Sequence, residues 1–370
     1  MKILLLNWQD IKNPSGGGAE VYLHQIFKRL AAQGHNITLL CSQFSGASSE
    51  EEIDGIHIVR KGNRNLFNYT VPLEYARRFR HEKFDIVIDD VNKIPFYTPA
   101  FVRKPLLGMV MHLFSTSIFK EASFPAASYV YCMEKLALSI YNKTPLVAIS
   151  ESTRRELLLH GCKDENIFLV PCAVNHSAYR QLSGISRSGQ TIGYVGRIKK
   201  YKSVDHLLRA FTIVLREIPE ARLVIIGEGD GRSAFEQLSR ELKIDRATKF
   251  TGFLPLEEKV KLLNQMHLVV NTSAKEGWGL TVTEANACGT PAIASDVPGL
   301  RDAVIDGETG MLYDYGDIEQ LAEKILLLIR DENLHSRLAA GALEYARSLT
   351  WDASAKIMID VIQKVIAAKS

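Results

Sequence analysis

The chain of 370 residues is poor in cysteine and contains no long hydrophobic run. Its five cysteines, at positions 41, 132, 162, 172 and 288, are odd in number and form no Cys-x-x-Cys pair. This argues against a disulfide framework or a zinc knuckle and predicts a protein of the reducing cytoplasm. No stretch approaches the roughly 18 apolar residues of a membrane-spanning helix, so we expect no transmembrane segment.

A strong excess of charge of one sign is also missing. The formal net charge is +3 with 24% charged residues, which does not favour nucleic acid as a partner. Hydrophobic residues make up 46% of the chain, as in an ordinary soluble enzyme. The length exceeds the roughly 250–300 residues at which single cores stop growing, so two domains are expected.

Apolar runs alternate with amphipathic helical patterns along the whole chain. The predicted strands are Lys2–Leu6, Asn36–Cys41, His57–Arg60, Asp85–Ile88, Leu107–Met111, Leu146–Ile149, Ile167–Val170, Thr191–Val195, Arg222–Ile226, Lys249–Thr251, Leu268–Val270, Pro291–Ala294 and Gly310–Leu312. Apolar strands that alternate with helices indicate parallel sheets covered on both faces. The sequence therefore predicts an α/β protein with two Rossmann-like, doubly wound domains.

The weakest pattern lies around 177–190, where serine and glycine cluster at positions 183, 184, 186, 188 and 189. Such composition is typical of an interdomain linker. We predict an N-terminal domain over 1–178, a linker over 179–190, a C-terminal domain over 191–350 and a helical segment over 351–370 that packs back on the first domain. Paired domains of this type usually bind ligands at the carboxyl ends of their strands, in the cleft between them.

Two glutamates, Glu276 and Glu284, lie eight residues apart between a predicted strand and a predicted helix over Thr281–Cys288. A glycine-containing loop that leads into a helix directs backbone N–H groups and the positive end of a helix dipole at one place, which suits a phosphate. At ~100° per residue the two carboxylates lie on different faces, so a shared-proton dyad is not expected. They are better placed to bind hydroxyl groups of a ribose and a sugar, although a pair of solvated surface carboxylates is an open alternative.

A second glycine loop, Gly16-Gly17-Gly18, opens a helix after the first strand. A nicotinamide fingerprint would follow the strand directly and would place an acid at the end of the second strand. Here nine residues intervene and the second strand ends in Cys41-Ser42, so that interpretation fails. What remains is either a glycine-rich helix start that approaches an anion closely or a plain turn.

Basic residues follow the first strand of the second half. Arg197 comes directly after Gly193-Tyr194-Val195-Gly196, and Lys202 precedes the next helix. A fork-shaped guanidinium and a mobile ammonium at the end of a strand suit a diphosphate. Taken alone, the same residues could form a basic solvated loop.

Two further positions end strands. Phe253 follows Thr251-Gly252, where the backbone could contact a nucleobase, and His112 follows Gly108–Met111. A lone histidine is more often structural, but this position at a strand end makes a site residue equally plausible.

Asp89-Asp90 ends another strand and resembles a metal-binding pair. We favour capping of the next segment, because no further Asp, Glu or His cluster supports a metal.

The helix that contains Arg77, Arg78 and Arg80 is locally basic, with His81 and Lys83 next to it. A run of this kind is usually a solvated face. It could also contact anionic lipid, which would give peripheral association at the inner face of the membrane.

Taken together, the motifs resemble those of the group 1 glycosyltransferases, which are retaining enzymes of GT-B fold also classified as family 4. In chain order the motifs are Gly17-Gly18-Ala19-Glu20, Ser150-Glu151-Ser152-Thr153, Val170-Pro171, Gly196-Arg197 with Lys202, Gly227-Glu228-Gly229, and the block from Glu276 to Glu284. The resemblance runs from Met1 to Trp351-Asp352. It implies two domains that face each other across a cleft, an acceptor on the N-terminal side and a sugar donor on the C-terminal side.

The resemblance also implies residue roles. Arg197 and Lys202 would hold the donor diphosphate, with help from Gly17 and Gly18. Glu284 would bind the ribose and Glu276 the donor sugar. The sugar's C6 region would lie at His112. The remaining predicted donor-binding residues are Phe253, Gly277, Trp278, Gly279, Leu280 and Thr281, and Trp278 stands where such enzymes commonly carry Phe.

The expected activity is metal-independent, retaining transfer of a hexose such as mannose or glucose from a UDP- or GDP-sugar, with no cofactor beyond that donor. The acceptor would be a lipid-linked, glycan or small-molecule hydroxyl. No nucleophile lines up convincingly, so we expect front-face substitution in which the leaving phosphate takes the acceptor's proton. The alternatives are a GT-B nucleotide-sugar epimerase and a nucleotide-sugar-binding protein without turnover.

Overall fold

The computed structural model describes residues 1–92, 94–120, 123–187 and 190–369. Ser188 and Gly189 of the predicted linker, and Ser370 at the end of the predicted last segment, lie outside the described residues. The chain forms two compact units, one of Met1–Cys172 with Trp351–Ser370 and one of Ala173–Thr350.

The first unit is built on an eight-stranded sheet of order β3-β4-β2-β1-β5-β6-β7-β8. The strands are β1 (Lys2–Leu6), β2 (Asn36–Ser42), β3 (Glu50–Ile53), β4 (Ile56–Lys61), β5 (Ile86–Asp90), β6 (Leu106–Val110), β7 (Leu146–Ala148) and β8 (Ile167–Leu169). All neighbours pair in parallel except β3, which is antiparallel to β4 at the edge. The central strands are continuous apolar runs because both faces of the sheet are covered.

The helices of the first unit are α1 (Gly18–Ala32), α2 (Phe67–Arg77), α3 (Phe124–Tyr141), α4 (Glu151–Leu159) and, numbered last in the chain, α12 (Trp351–Ala367). Helix α12 packs on α1. The Trp351 and Tyr22 rings lie 5.9 Å apart edge to face, and Arg29 of α1 pairs with Asp352 at 2.6 Å. The Ser354 hydroxyl also donates to the Pro171 carbonyl at 2.8 Å, which ties this helix to the first sheet unit.

The second unit has a six-stranded parallel sheet of order β11-β10-β9-β12-β13-β14. Its strands are β9 (Thr191–Val195), β10 (Arg222–Ile226), β11 (Thr248–Gly252), β12 (Leu268–Asn271), β13 (Ala292–Ser295) and β14 (Gly310–Tyr313), and its helices are α5 (Val204–Glu217), α6 (Arg232–Glu241), α7 (Leu256–Gln265), α8 (Leu280–Ala287), α9 (Leu300–Ala303), α10 (Ile318–Arg330) and α11 (Glu332–Ser348). Its core is formed by buried side chains such as Ile192, Leu207, Phe211 and Ile225. The predicted α/β class is confirmed in both units.

Residues 173–178 group with the second unit and not with the first. Val174 explains this, because its N–H donates to the Leu349 carbonyl at 3.1 Å and it bridges to Thr350. The described part of the predicted linker is also attached to this unit. Leu182 N–H donates to the Asn264 side chain at 2.9 Å, and Arg187 donates to the Cys288 carbonyl at 2.9 Å.

Candidate active site

The strand order of the second unit reverses between β9 and β12, since β10 and β11 lie on one side and β13 and β14 on the other. At such a reversal the loops after the two strands diverge and leave a crevice at the carboxyl end of the sheet, where ligands usually bind. The loop after β9 carries Arg197 and Lys202, and the loop after β12 carries Glu276. The topology therefore brings three of the predicted residues to the same edge.

The loop that carries Arg197 is fixed by close backbone packing. A Cβ on Gly227 would lie 1.9 Å from the Gly196 carbonyl oxygen, and one on Gly229 would lie 2.1 Å from the Ile198 carbonyl oxygen. Gly227 also has φ of +144°, which few other residues adopt. The Gly227-Glu228-Gly229 motif thus lets the loop after β10 lie directly against the arginine loop.

Lys202 and Glu276 form an ion pair in which both side chains are largely buried, at 13% and 17% exposure. The same carboxylate oxygen accepts a hydrogen bond from the Ser273 hydroxyl at 2.8 Å. The two loops are also joined through the backbone, because the Thr272 hydroxyl donates to the Lys202 carbonyl at 2.8 Å. The pair is therefore held in place from both strands.

The electrostatics of this pair favour the charged forms. Burial lowers the pKa of Lys202, but the Glu276 carboxylate outweighs burial and the pKa is raised overall. The Arg197 guanidinium is close enough that its charge opposes this rise. Lys202 is therefore a protonated cation beside a second cation, as the prediction of an anion-binding pair requires.

Glu284 belongs to a different ion pair. It lies in α8 and contacts the Lys259 ammonium of α7 at 2.9 Å, with both side chains about one-fifth exposed. Lys259 also lies over the Tyr179 ring, 4.8 Å from its centroid. Burial and the nearby Glu284 carboxylate raise the pKa of the Tyr179 hydroxyl. The two glutamates are thus held by different lysines and do not form a carboxylate dyad.

Helix α8 begins at the predicted donor loop. Gly279 precedes the helix with φ of +111° and supplies no side-chain cap. Among the described residues no side chain accepts from the Leu280 or Thr281 N–H at the start of this helix, where such an acceptor is usual, whereas the Val282 N–H donates to the Gly279 carbonyl at 2.9 Å. Gly277 is partly exposed, whereas Trp278 is buried and its indole N–H has no hydrogen-bond partner among the described residues.

Phe253 is the most accessible aromatic residue near this edge. It directly follows β11, and 84% of its surface is exposed. A phenyl ring so exposed at a strand end offers a flat apolar face to a planar ligand.

The predicted site residues of the first unit lie at the corresponding edge of its own sheet. Gly17 precedes α1, and its N–H donates to the Glu20 carboxylate at 2.6 Å. The predicted anion-binding amide of Gly17 is thus already used within the chain, while Gly18 is exposed. Glu20 therefore acts as the cap of its own helix.

His112 follows β6 and is partly buried. Its imidazole contacts the Phe114 ring at a centroid distance of 4.4 Å. The predicted strand over 107–111 is displaced by one residue, since β6 ends at Val110.

The Asp89-Asp90 pair is buried within the first unit. Asp89 accepts hydrogen bonds from the hydroxyls of Thr98 and Tyr141, and burial raises its pKa to about 6. Burial and the nearby Glu20 raise the pKa of Asp90 to about 8. Thr98 opens a short 3-10 helix over Thr98–Ala100, but its N–H donates to the Tyr141 hydroxyl at 3.1 Å, so the capping role of the aspartate pair stays a prediction.

The described residues contain neither a candidate metal cluster nor a helix that could span a membrane. Nowhere in 1–92, 94–120, 123–187 or 190–369 do three His, Cys, Asp or Glu side chains come together as a possible metal site. Within the same ranges, none of the helices has both the length and the apolar character needed to cross a bilayer.

Two family models match the chain. The model described as "Glycosyl transferases group 1" matches residues 176–345, and that described as "Glycosyltransferase Family 4" matches residues 16–178. Together they cover most of both units. The chain therefore belongs to the group 1 (family 4) glycosyltransferases of GT-B fold, and the resemblance seen in the sequence is confirmed.

Curated relatives agree with this family. A D-inositol 3-phosphate glycosyltransferase from Thermomonospora curvata is 33% identical in an alignment of length 241 that covers 58% of this chain and 56% of the relative. The N-acetyl-alpha-D-glucosaminyl L-malate synthase of Bacillus anthracis is 26% identical in an alignment of length 349 that covers 90% of this chain and 89% of the relative. The chain thus spans only about half the length of the D-inositol 3-phosphate enzymes it matches.

Solved structures share the fold. Sucrose-phosphate synthase from Thermosynechococcus elongatus superposes with a TM-score of 0.84 at 21% identity, over 99% of each chain. Anabaena HepE, solved in complex with UDP and glucose, gives 0.78 at 18% identity, over 98% of this chain and 100% of that one. At such identities the likeness concerns the fold alone.

Several residues around the site were not found by sequence reasoning. Lys259 and Tyr179 surround Glu284, and Glu134 of α3 accepts hydrogen bonds from the segment after His112. In the sequence Lys259 is one of several charged residues of an amphipathic helix, and Glu134 is an isolated acid in a largely apolar one. Neither position has a local pattern that distinguishes it from a solvated side chain.

Proposed function

We propose that this protein is a retaining hexosyltransferase that takes its sugar from a UDP- or GDP-hexose. The observation that carries the proposal is the buried Lys202–Glu276 ion pair next to Arg197 at the strand reversal. Two cations and one carboxylate leave a positive balance, which suits the two negative charges of a nucleotide diphosphate. The carboxylate in the same cluster suits hydroxyl groups of the attached sugar.

The remaining roles follow from position. Arg197 and Lys202 bind the diphosphate and stabilise the charge that grows on it as the bond to the sugar breaks. The uncapped start of α8 at Gly279 adds N–H groups to the same anion. Glu284 binds ribose hydroxyls and Phe253 stacks on the base.

In the first unit, we assign His112 to the C6 region of the sugar, and Gly17 and Gly18 to the diphosphate. Because the Gly17 amide donates to Glu20, the exposed Gly18 is the stronger of the two candidates. We also assign the acceptor to this unit.

The proposed chemistry is front-face substitution. The bond from C1 of the sugar to the phosphate oxygen breaks, a bond from C1 to the acceptor oxygen forms on the same face, and the acceptor's proton moves to the departing phosphate. Glu276 is engaged by Lys202 and Ser273, which makes it a poor nucleophile. No metal takes part in this scheme, so EDTA is expected to leave turnover unchanged, and Mn²⁺-dependent recovery would contradict it.

The test is incubation with radiolabelled UDP- and GDP-hexoses in the absence of an acceptor. Slow release of the free sugar is expected, because water replaces the missing acceptor, and proton NMR of the first product should show the donor's own anomeric configuration. An altered nucleotide sugar would identify an epimerase. Tight binding without any turnover would identify a binding protein.

A thermal-shift series with UDP, GDP and ADP identifies the base. A nucleotide at 100 times its Kd should add ~2.7 kcal/mol of apparent stability. UDP is the first candidate, because the structural relative HepE was solved with UDP and with UDP-glucose. Absence of a shift with all three nucleotides would count against a nucleotide-sugar donor.

For the acceptor, D-inositol 3-phosphate and L-malate, for which two curated relatives are named, make small polyhydroxylated or acidic molecules the first candidates. A lipid-linked acceptor is favoured by the exposed surface at α2. Leu66, just before α2, and Tyr69 and Leu73 within it are about half exposed at helical spacing. The predicted single basic helix is wrong, because α2 ends at Arg77 and Arg80 lies in a separate 3-10 helix over Phe79–His81, although both arginines are exposed. Arg78 is less available than predicted, because it pairs with Glu50 at 2.7 Å. We propose that this face contacts anionic lipid, and failure to sediment with phosphatidylglycerol vesicles would remove this part.

A further inference from the structure

The short segment between β6 and the 3-10 helix Ser115–Lys120 carries His112 and is anchored at its first residue. The Thr153 hydroxyl donates to the Met111 carbonyl at 3.2 Å. Thr153 is itself fixed, because its N–H donates to the hydroxyl of Ser150, the residue that caps α4. The chain entering the histidine is thus attached to the start of a helix.

The other end of the segment is anchored by Glu134. This glutamate of α3 is only 8% exposed. Its two carboxylate oxygens accept hydrogen bonds from the backbone N–H groups of Phe114, at 2.6 Å, and Ser115, at 2.8 Å. The N–H groups at the start of a helix have no partner within it, so a side chain from α3 acts as the cap here. Such charge-assisted bonds are roughly twice as strong as neutral ones.

The backbone at this point has an unfavourable conformation. Ser115 has φ of +47°, a left-handed conformation that costs energy for any residue with a side chain. The bidentate grip of Glu134 on Phe114 and Ser115 supports this conformation. It also sets the direction in which the Phe114 ring leaves the backbone.

The orientation of His112 depends on this arrangement through a ring contact. The imidazole lies 4.4 Å from the Phe114 ring, at an angle of 55°. A rotation of Phe114 would therefore remove the surface on which the imidazole rests.

We propose that Glu134 is a positioning residue that fixes the orientation of the His112 imidazole through Phe114 and Ser115. The part of this inference that concerns catalysis rests on the proposed function, which assigns His112 to the donor sugar. Misplacement of a site group by about 1 Å can reduce a rate by roughly a hundredfold. A carboxylate that touches no substrate would thus control turnover.

The first experiment does not depend on activity. Protein labelled with ¹³C in its histidine rings gives spectra of the ten histidines, in which His112 is identified by the peak that His112→Ala removes. We expect Glu134→Gln to shift or broaden that peak, since the amide retains one acceptor and places a donor against an N–H. The peaks of His267 and His335 in the other unit should stay in place. An unchanged His112 peak in a folded Glu134→Gln protein would overturn the proposal.

Thr153→Val is the second variant, in case Glu134→Gln fails to fold. It removes the hydrogen bond to Met111 and keeps the shape of the side chain, so it should move the same His112 peak to a smaller extent. Glu165→Gln is the matched control, because Glu165 is a solvent-exposed glutamate of the same unit. A shift of the His112 peak in this control as large as that in Glu134→Gln would also overturn the proposal.

The second experiment is a double-mutant cycle on donor hydrolysis. If Glu134 acts through His112, Glu134→Gln should lower kcat by about ten- to a hundredfold in the native background and by less than about threefold when His112 is already alanine. Equal effects in both backgrounds would overturn the positioning role. A native protein that turns over no donor would contradict the proposed function, and the spectra would then decide the Glu134 inference separately.

Discussion

Both units are built on a largely parallel sheet, but the charged residues near the carboxyl ends of the strands differ in how deeply they are buried. In each sheet the strand order reverses once, between β1 and β5 in the first unit and between β9 and β12 in the second. Near the first reversal, Asp10 and Arg60 are almost fully buried and form a bidentate pair at 2.7 and 3.0 Å. Near the second, Lys202 and Glu276 keep part of their surface open.

The comparison shows that burial distinguishes charged groups that stabilise the fold from charged groups that can contact a ligand. Asp10 also accepts from Lys12 N–H at 2.9 Å, and Arg60 reaches Glu51 at 2.6 Å, so the charges of the first unit mostly satisfy one another and hold the long loop after β1. The two lysine–carboxylate pairs of the second unit keep between 13% and 20% of their side-chain surface exposed, so a ligand can reach them. A fully buried pair is costly to break and so supports the fold, whereas a pair that keeps exposed surface can also contact a ligand.

The largest effect is expected in the supporting pair. Asp10→Ala removes the bidentate carboxylate from the buried Arg60 guanidinium and leaves it with Glu51 and the Ser48 carbonyl, so it should destabilise the first unit by ~3–5 kcal/mol, the usual cost of breaking a buried pair. Urea unfolding followed by circular dichroism measures this. The double variant Asp10→Leu with Arg60→Met should lose less, because no uncompensated charge remains. If the free energy of unfolding of Asp10→Ala fell by less than ~1 kcal/mol, the Asp10–Arg60 pair would not be the structural support that distinguishes the first unit from the second.

Arg197→Ala should affect turnover and leave stability unchanged. Removing a group that stabilises charge in the transition state costs ~2.7–4 kcal/mol, so kcat should fall by about a hundred- to a thousandfold. The matched control is Lys199→Ala, two residues away, whose ammonium contacts the exposed Asp230 at 3.3 Å. Similar kinetics for both variants would mean that Arg197 has no special role.

The two glutamates of the second unit should separate kinetically. Glu276→Ala is expected to lower kcat, because it lies in the cation cluster, and Glu284→Ala to raise KM for the donor, because it lies in a separate pair with Lys259. About ten- to a hundredfold is expected for each, as for a hydrogen bond to a charged group. Steady-state kinetics with the donor varied measures both. An exchange of the two effects would reverse the assigned roles.

The buried carboxylates make the first unit sensitive to alkali. Asp90 has a pKa of about 8, above the usual value near 3.8, so the unfolded chain releases this proton at lower pH than the folded chain. Stability from this group is complete below pH ~4 and is lost as pH rises toward 8. At pH 8 the free energy of unfolding of Asp90→Asn should therefore exceed that of the native protein by ~1 kcal/mol or more. Melting temperatures at pH 5 and 8 test this, and a variant equally destabilised at both values would contradict it.

The stability of the second unit should depend on pH in the opposite direction and more weakly. His267 and His335 stack at 3.8 Å between ring centroids, and burial lowers the pKa of both, with Arg187 contributing to each shift. Stability is present above the ordinary histidine pKa of about 6.5 and is lost as pH falls below it. The variant His335→Gln can still donate a hydrogen bond to the His267 carbonyl. It should reduce the loss of folding stability at acid pH by ~1 kcal/mol or less. An unchanged acid response would remove this difference between the units.

The strand framework could be predicted because buried parallel strands are continuous apolar runs. The bounds of β1, β9 and β10 agree with prediction to the residue. The edge strand β3 was missed, since Glu50-Glu51-Glu52 has no apolar character. Its conformation depends on partners elsewhere, namely Arg78 for Glu50 and Arg60 for Glu51. No local pattern contains that information.

The candidate site was predictable to a similar degree. Strand ends place Arg197, Lys202 and Glu276 at one edge, and sequence position was enough to expect this. The lysine that holds Glu284 and the glutamate that caps the segment after His112 come from helices distant in sequence. Their importance arises from side-chain geometry, which spacing along a chain does not encode. The functions assigned to all these residues stay predictions.

The contact between Gly227 and the Gly196 carbonyl has a consequence for how this site can change. Because the two strand-end loops touch backbone to backbone, we expect them to move as one block, which fixes the backbone from which the exposed Arg197 side chain extends. A methyl group at position 227 would push the block apart. Attempts to redesign donor preference should therefore vary the neighbourhood of Phe253 and leave these glycines unaltered.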